Sequence, residues 1–307
     1  MKKWQQKALV QKTISFLPFA HRINFIFQKY VTKGVDLSED YFTDRLRHAS
    51  EHIGAFERHA QCKILSSSLE LGTGWYPVVP VSLFLYGAQA IHTVDICPHC
   101  SRRNILTTIQ MFKDHYQSGK LRLFINVHRD RWYEFSRLMD EAEYLDKEGL
   151  LKRLRINCHI ADARDLPLPS GSISLLTSNN TLEHVYPGML RGILREFGRL
   201  AAKGGVMSHF IDMSDHFAHF DQSITIYNYL QYSKRQWERM DNLIQPQNRL
   251  RISDYRSLYA ELGIPITEEL CREGSLKSLS TVNVHREFNG IPIADLAISH
   301  CLLVSKM

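Results

Sequence analysis

The stretch Leu69–Ile96 restricts what this chain can fold into more than any other. A short apolar run, Leu69-Glu70-Leu71, is followed at once by Gly72-Thr73-Gly74. An apolar stretch from Val78 to Ala88 then reads as a helix, with Pro80 tolerable because it falls in the first turn. A second apolar run, Ala90–Val94, ends at Asp95. Without a Cβ, glycine lets the chain turn tightly after a strand and lets a ligand approach the backbone. Asp95 follows Gly74 by 21 positions (95 − 74 = 21), a spacing that suits an acidic side chain gripping ribose hydroxyls in a βαβ nucleotide site. The unit predicts a parallel sheet with a cofactor cleft beyond the carboxyl ends of its strands.

The turn lacks the marks of two common nucleotide sites. In a dinucleotide fingerprint the third glycine would fall on Pro77, and no P-loop lysine follows. Glu70, two positions before Gly72, would repel a pyrophosphate and suits a cationic ligand. Here the chain resembles the class I S-adenosylmethionine-dependent methyltransferases, whose first motif is E/D-x-G-x-G-x-G; Glu70, Gly72 and Gly74 match it and Tyr76 takes the place of the last glycine. Asn179-Asn180-Thr181-Leu182-Glu183-His184-Val185 and Arg195–Gly205 are similar to two later motifs of that family, and its type-11 (UbiE-like) group is the nearest. Ser174 stands where the family often has Asp. The resemblance implies a Rossmann-like seven-stranded α/β sheet, mostly parallel with the last strand antiparallel, and helices on both faces. It also implies S-adenosyl-L-methionine as cofactor, held by Glu70, Leu71, Gly72, Thr73, Gly74, Trp75, Asp95, Ile96, Asn179 and Asn180. Asp162 with the backbone of Ala163 would meet the adenine amino group, since a carboxylate accepts from an exocyclic N–H.

Around that core, residues 1–65 read as a helical segment and residues 66–307 as the methyltransferase-like domain. The segment to Lys33 is basic and aromatic, with Trp4, Phe16, Phe19, Phe25, Phe27 and Tyr30. It fits either a helix packed on the core or a peripheral contact with a membrane surface. Insertions at about 120–155 and 215–250 exceed the usual α/β connection and are expected to cap the mouth of the cleft. In the second, Tyr227, Tyr229, Tyr232 and Trp237 alternate with amides, a composition suited to stacking on a sugar, and Gln245–Arg249 reads as a polar loop facing the cleft. Ser253 is the expected N-cap of a helix from Ile252, and Gly204-Gly205 the stop of one from Pro187.

Methylating a hydroxyl calls for a base, and the run after the fifth strand offers His216 first and His219 second, with Asp212 or Asp215 to orient the ring. His184 is a further candidate near the methyl donor. No ligand spacing forces a metal site, and the Cys97–Cys100 pair lacks the second pair that zinc would require. A formal charge of +6 with no clustered basic stripe speaks against nucleic acid as partner. Six scattered cysteines, no secretory pattern and no apolar run long enough to span a bilayer suit the cytoplasm. The reaction expected is methylation of a hydroxyl on a sugar, a lipid-linked saccharide or another small molecule. The alternatives are a binding protein that keeps the fold without turnover, and a nicotinamide-dependent oxidoreductase.

Overall fold

The computed structural model describes residues 2–16, 36–243 and 245–307. Phe19, Phe25, Phe27 and Tyr30 of the amino-terminal segment lie outside them. In chain order the main elements are α1 (Lys3–Ser15), α2 (Glu39–His59), β1 (Ser67–Leu71), α3 (Val78–Tyr86), β2 (Ala90–Asp95), α4 (Arg102–Gln117), α5 (Arg129–Glu141), α6 (Lys147–Arg153) and β3 (Ile156–Ile160). There follow β4 (Ile173–Asn179), α7 (Pro187–Leu200), β5 (Ala201–Asp212), α8 (Lys234–Trp237), α9 (Ile252–Glu261), β6 (Glu268–Arg272), α10 (Leu276–Ser280), α11 (Ile293–Ala297) and β7 (His300–Lys306). The seven strands form one sheet in the order β3-β2-β1-β4-β5-β7-β6. All neighbours pair in parallel except β7, which runs antiparallel to both β5 and β6.

Side chains alternate across a strand, so each central strand feeds two cores. Leu175, Val206, Phe210 and Leu302 point to one face, and their neighbours Leu176, Met207, Ile211 and Leu303 to the other. The first face is covered by α2, α3 and α4, the second by α7 and α9. α2 begins where Ser38 accepts a hydrogen bond from the Tyr41 N–H, with Glu39 and Asp40 at the positive end of the helix dipole. Its buried Phe42, Leu46, Ile53 and Phe56 lie against the sheet, so this helix is one of the layers that bracket it.

The first insertion differs from expectation; the second reaches the cleft through Gln245 and Pro246. Residues 120–155 do not cap the cleft: none of them lines the cavity described below. They run along the flank of the sheet, where Arg131 donates to the carbonyls of Gly87 and Ala88 at the end of α3, and Arg102 at the start of α4 donates to Ala142, Glu143 and Leu145. Phe135 and Leu138 join the first core. In the second insertion Tyr227, Tyr229 and Trp237 are buried and form a satellite core with Trp4, Ala8 and Phe217, so they stack on one another and not on a sugar. α1 is the helix that closes this core: Trp4 sits 5.6 Å from Phe217 and 5.9 Å from Tyr232, and its N–H donates to Asp221. Among the described residues, no helix is long and apolar enough to cross a membrane.

Two local expectations also shift. The N-cap of α9 is Arg251, whose backbone N–H donates to the Asp254 carboxylate, while Ser253 Oγ is buried without a partner. α7 stops at Leu200, and β5 starts immediately, with an irregular register beside Ile173 that uses Gly204 at φ +72°.

Candidate active site

The carboxyl ends of β1, β2 and β4 surround a cavity of about 360 Å³. β1 delivers Glu70 and the turn Gly72–Gly74, in which both glycines have positive φ, +77° and +66°. A Cβ on Gly72 would lie 2.4 Å from Thr181 Oγ1, so the loop after β4 closes directly on this turn. At Gly74 a Cβ would meet nothing nearer than the Gly72 carbonyl at 4.0 Å, which leaves that backbone open to the cavity. Asp95 ends β2, and its Oδ2 accepts from the Gly74 N–H at 3.0 Å. Thr73 Oγ1 donates to Glu70 Oε2 at 2.7 Å. Burial raises the Glu70 carboxyl to about 7, with Asp95 adding to it, and burial likewise raises Asp95 to about 6.

β4 contributes Asn179, buried with Oδ1 unpartnered, and Asn180, held at φ +50° with its amide oxygen 3.1 Å from the Arg45 guanidinium. Arg45 and Tyr41 reach the cavity from α2, the guanidinium lying 4.8 Å from the centre of the Tyr41 ring. Neither was singled out in the sequence, because only the apolar face of that helix stands out there; their four-residue spacing beside Phe42 was the available signal. Trp75 and His99 form another wall, with ring centres 4.7 Å apart.

Of the predicted cofactor residues, Glu70, Gly72, Thr73, Gly74, Trp75, Asp95, Asn179 and Asn180 line this one cavity. The others do not. Leu71 is buried in the core, Ile96 is exposed to solvent, and Ala163 belongs to the second core. Asp162 is half exposed outside the cavity, where Arg164 Nε donates to both its oxygens at 2.9 Å and holds its carboxyl down to about 2. Of the polar loop 245–249, Gln245 and Pro246 line the cavity. Arg249 turns inward to the Tyr229 and Tyr232 carbonyls.

The proposed catalytic residues separate into groups. His184 lines the cavity, and its Nδ1 lies 2.6 Å from the Pro246 carbonyl, so Nδ1–H donates and Nε2 keeps its lone pair. Burial, with His216 nearby, lowers this imidazole to about 4. His216 packs edge-on to His184, ring centres 4.9 Å apart, and its Nε2 is 3.3 Å from Asp212 Oδ2, an ion-pair contact and not an aligned hydrogen bond. Asp212 also meets His300 at 3.4 Å and His219 at 3.9 Å. Burial alone would raise the Asp212 carboxyl, but these three rings hold it far below the usual carboxylate range. His219 is largely exposed, and Asp212 raises its imidazole above the ordinary value. Asp215 accepts from the Phe217 N–H and from Asn228 Nδ2, so it holds the turn together and does not orient His216.

Residues 134–208 match the model of the methyltransferase domain family. That segment carries the methyltransferase-domain signature, within a sheet whose order is that of a Rossmann-like seven-stranded fold. The matched span runs from α5 through β3, β4 and α7 into β5, the half of the sheet beyond the glycine turn. No curated protein sequence matches the chain. Among solved structures it is similar to a geranyl diphosphate methyltransferase in complex with S-adenosylmethionine, at 11% identity and TM-score 0.45 over 89% of this chain and 92% of that one. It is similar to the 1,6-didemethyltoxoflavin N1-methyltransferase of Burkholderia thailandensis, at 12% identity and TM-score 0.46 over 93% and 86%. A S-adenosylmethionine-dependent methyltransferase of Leishmania major shows 11% identity and TM-score 0.47 over 99% and 83%.

Proposed function

We propose that this chain is an S-adenosylmethionine-dependent methyltransferase acting on a hydroxyl oxygen of a small polar acceptor, a saccharide or comparable polyol. One observation carries the reading: the open backbone at Gly74, the Asp95 carboxylate and the His184 imidazole face the same cavity. When bound, the donor supplies an electrophilic methyl group on a sulfonium sulfur. Asp95 is placed to accept from the ribose hydroxyls while it braces the Gly74 N–H. Glu70 stands beneath the turn as the buried anion nearest a cationic ligand. Arg45 is the only Lys or Arg among the described lining residues, and it is the group to hold the donor's carboxylate. Asp162 reaches an adenine amino group only by parting from Arg164.

On the acceptor side His184 is the wall of the cavity, with His216 and Asp212 packed behind it. Pro246 fixes the tautomer of His184 so that a lone pair faces the cavity, and Asp212 fixes the ring of His216. The hydroxyl's proton is lost at this wall. Most of the acceleration comes from holding acceptor and donor close and aligned, with a smaller part from the base.

The test is incubation of metabolite extracts with methyl-labelled donor and mass analysis of every product that gains the label. A labelled ether in a polyol supports the reading, and label found only on nitrogen or carbon overturns it. His216→Ala is expected to slow turnover far more than it weakens donor binding; unaltered turnover removes His216 from the acceptor side.

A further inference from the structure

Among the described residues, Glu183 is a buried carboxyl that no side chain partners. It lies on the short turn Leu182–His184 directly after β4, is 2% exposed, and neither carboxylate oxygen has a hydrogen-bond partner. Leaving a buried carboxylate unsatisfied is costly, so without a cation such a group keeps its proton, and a cation within reach takes the proton's place. The residues around it supply the rest of a coordination set. Glu183, His184 and His216 can each present one ligand atom such that all three atoms lie within 4.8 Å of one another. Cys97 and Cys100 belong to no such group among the described residues.

We propose that Glu183, His184 and His216 bind one divalent first-row transition metal ion at the inner wall of the cavity. Two imidazoles and one carboxylate suit zinc, manganese, iron(II) or cobalt better than magnesium or calcium, which prefer all-oxygen sets. The surroundings have the form of a metal site's outer shell, in which each ligating imidazole has its second nitrogen held by a carboxylate or a backbone carbonyl. His184 Nδ1 is held by the Pro246 carbonyl at 2.6 Å, which leaves Nε2 as its ligand atom. Asp212 Oδ2 lies 3.3 Å from His216, with Ser214 N–H and His300 steadying the carboxylate in turn. Because His184 lines the cavity, an ion there has an approach from solvent and coordination positions left open on the acceptor side. What the ion does rests on the hydroxyl-methylation reading: it holds the acceptor oxygen and eases loss of its proton to water, so the wall acts through the metal and not as a free base. The binding itself does not depend on that reading.

The experiment uses full-length protein without an affinity tag, stripped with chelator. Titration with zinc, manganese and cobalt is followed by calorimetry, and the cobalt form by its visible absorption. One ion per chain is expected, with affinity weakened by more than the roughly tenfold to hundredfold that loss of an outer-shell partner costs in both Glu183→Gln and His216→Ala. Thermal unfolding of the metal-free variants and their affinity for S-adenosylmethionine report whether the fold survives. No stoichiometric binding by the wild type, or binding unaffected by both substitutions, overturns the proposal. A metal bound by a protein that methylates no hydroxyl would sink the acceptor reading and leave the site standing.

Discussion

Glu70 and Asp95 are two carboxyls whose protonation decides whether the cavity presents negative charge to a sulfonium. Both are raised by burial, to about 7 and about 6. At pH 8 both are ionised, and at pH 5.5 both are largely neutral. A cationic ligand favours the ionised forms, so donor affinity should rise as pH increases through 6 and 7. Calorimetric titration with S-adenosylmethionine at pH 5.5 and pH 8 should show a gain of roughly tenfold, the equivalent of one pKa unit. Glu70→Gln should bind more weakly at pH 8 and lose most of that dependence. A flat profile in the wild type would show that Glu70 is not charged against the donor. The two glycines of the turn differ in the same way. A side chain on Gly72 collides with Thr181 and strains the fold, whereas one on Gly74 points into open cavity. Gly74→Ala should therefore cost only about 1–2 kcal/mol of stability, from its left-handed φ. It should weaken donor binding about tenfold or more, which calorimetry and urea unfolding measure separately. Equal donor affinity would mean that no ligand approaches Gly74.

At the scale of elements, legibility followed locality. The strand, glycine turn, helix and strand of residues 67–95 are contiguous, and the turn meets Asp95 across adjacent parallel strands, so pattern and spacing sufficed. The 215–250 segment was harder, because its aromatic and amide mixture suits a ligand wall and a small core equally well. What decided between them is α1, distant in sequence, whose Trp4 completes the core. Arg251 was hidden for the same reason: it is fully buried and donates to the carbonyls of Met213, Leu296 and Ile298 and to the Tyr229 hydroxyl, partners from three separate segments. The packing makes α1 a prediction in itself. Trp4→Ala should destabilise the protein by about 3 kcal/mol, the cost of emptying a large aromatic site. Urea unfolding followed by the remaining tryptophans, with limited proteolysis near residue 16, checks this. Unchanged stability would mean that α1 rests on the surface without holding the 215–250 segment.

The whole molecule carries an acid sensitivity that arises from where its histidines sit. The interface of α2 with β4 and β5 buries His48 and His52, and the opposite face of the sheet buries His209 beside Phe197 of α7, with His52 Nδ1 2.8 Å from Ser208 Oγ and His209 Nδ1 2.8 Å from Ser178 Oγ. Burial lowers His48 and His209 to about 3 and His52 well below its ordinary value, and His184 falls to about 4. In the unfolded chain each would titrate near 6.5. Between those values the unfolded state binds the additional protons, and stability must fall as pH drops. Glu70, Asp95 and Glu183 act in the opposite sense, since their raised values let the folded state hold protons that the unfolded state releases. Near pH 6.5 the histidines are only half titrated in the unfolded chain and the two groups offset each other. Burial also lowers His92 and His159 and raises Glu51, Asp215 and Asp241; by pH 5 the histidines are fully charged on unfolding, while the acids begin to take up protons in the unfolded chain as well. Unfolding free energy should therefore peak between about pH 6 and 7 and decline toward pH 5, with net proton uptake on unfolding along that acid limb. Urea titrations at half-unit pH steps measure the slope directly. A stability that rises steadily from pH 6.5 to pH 5 would show that the carboxyls, not the histidines, govern the fold's response to acid.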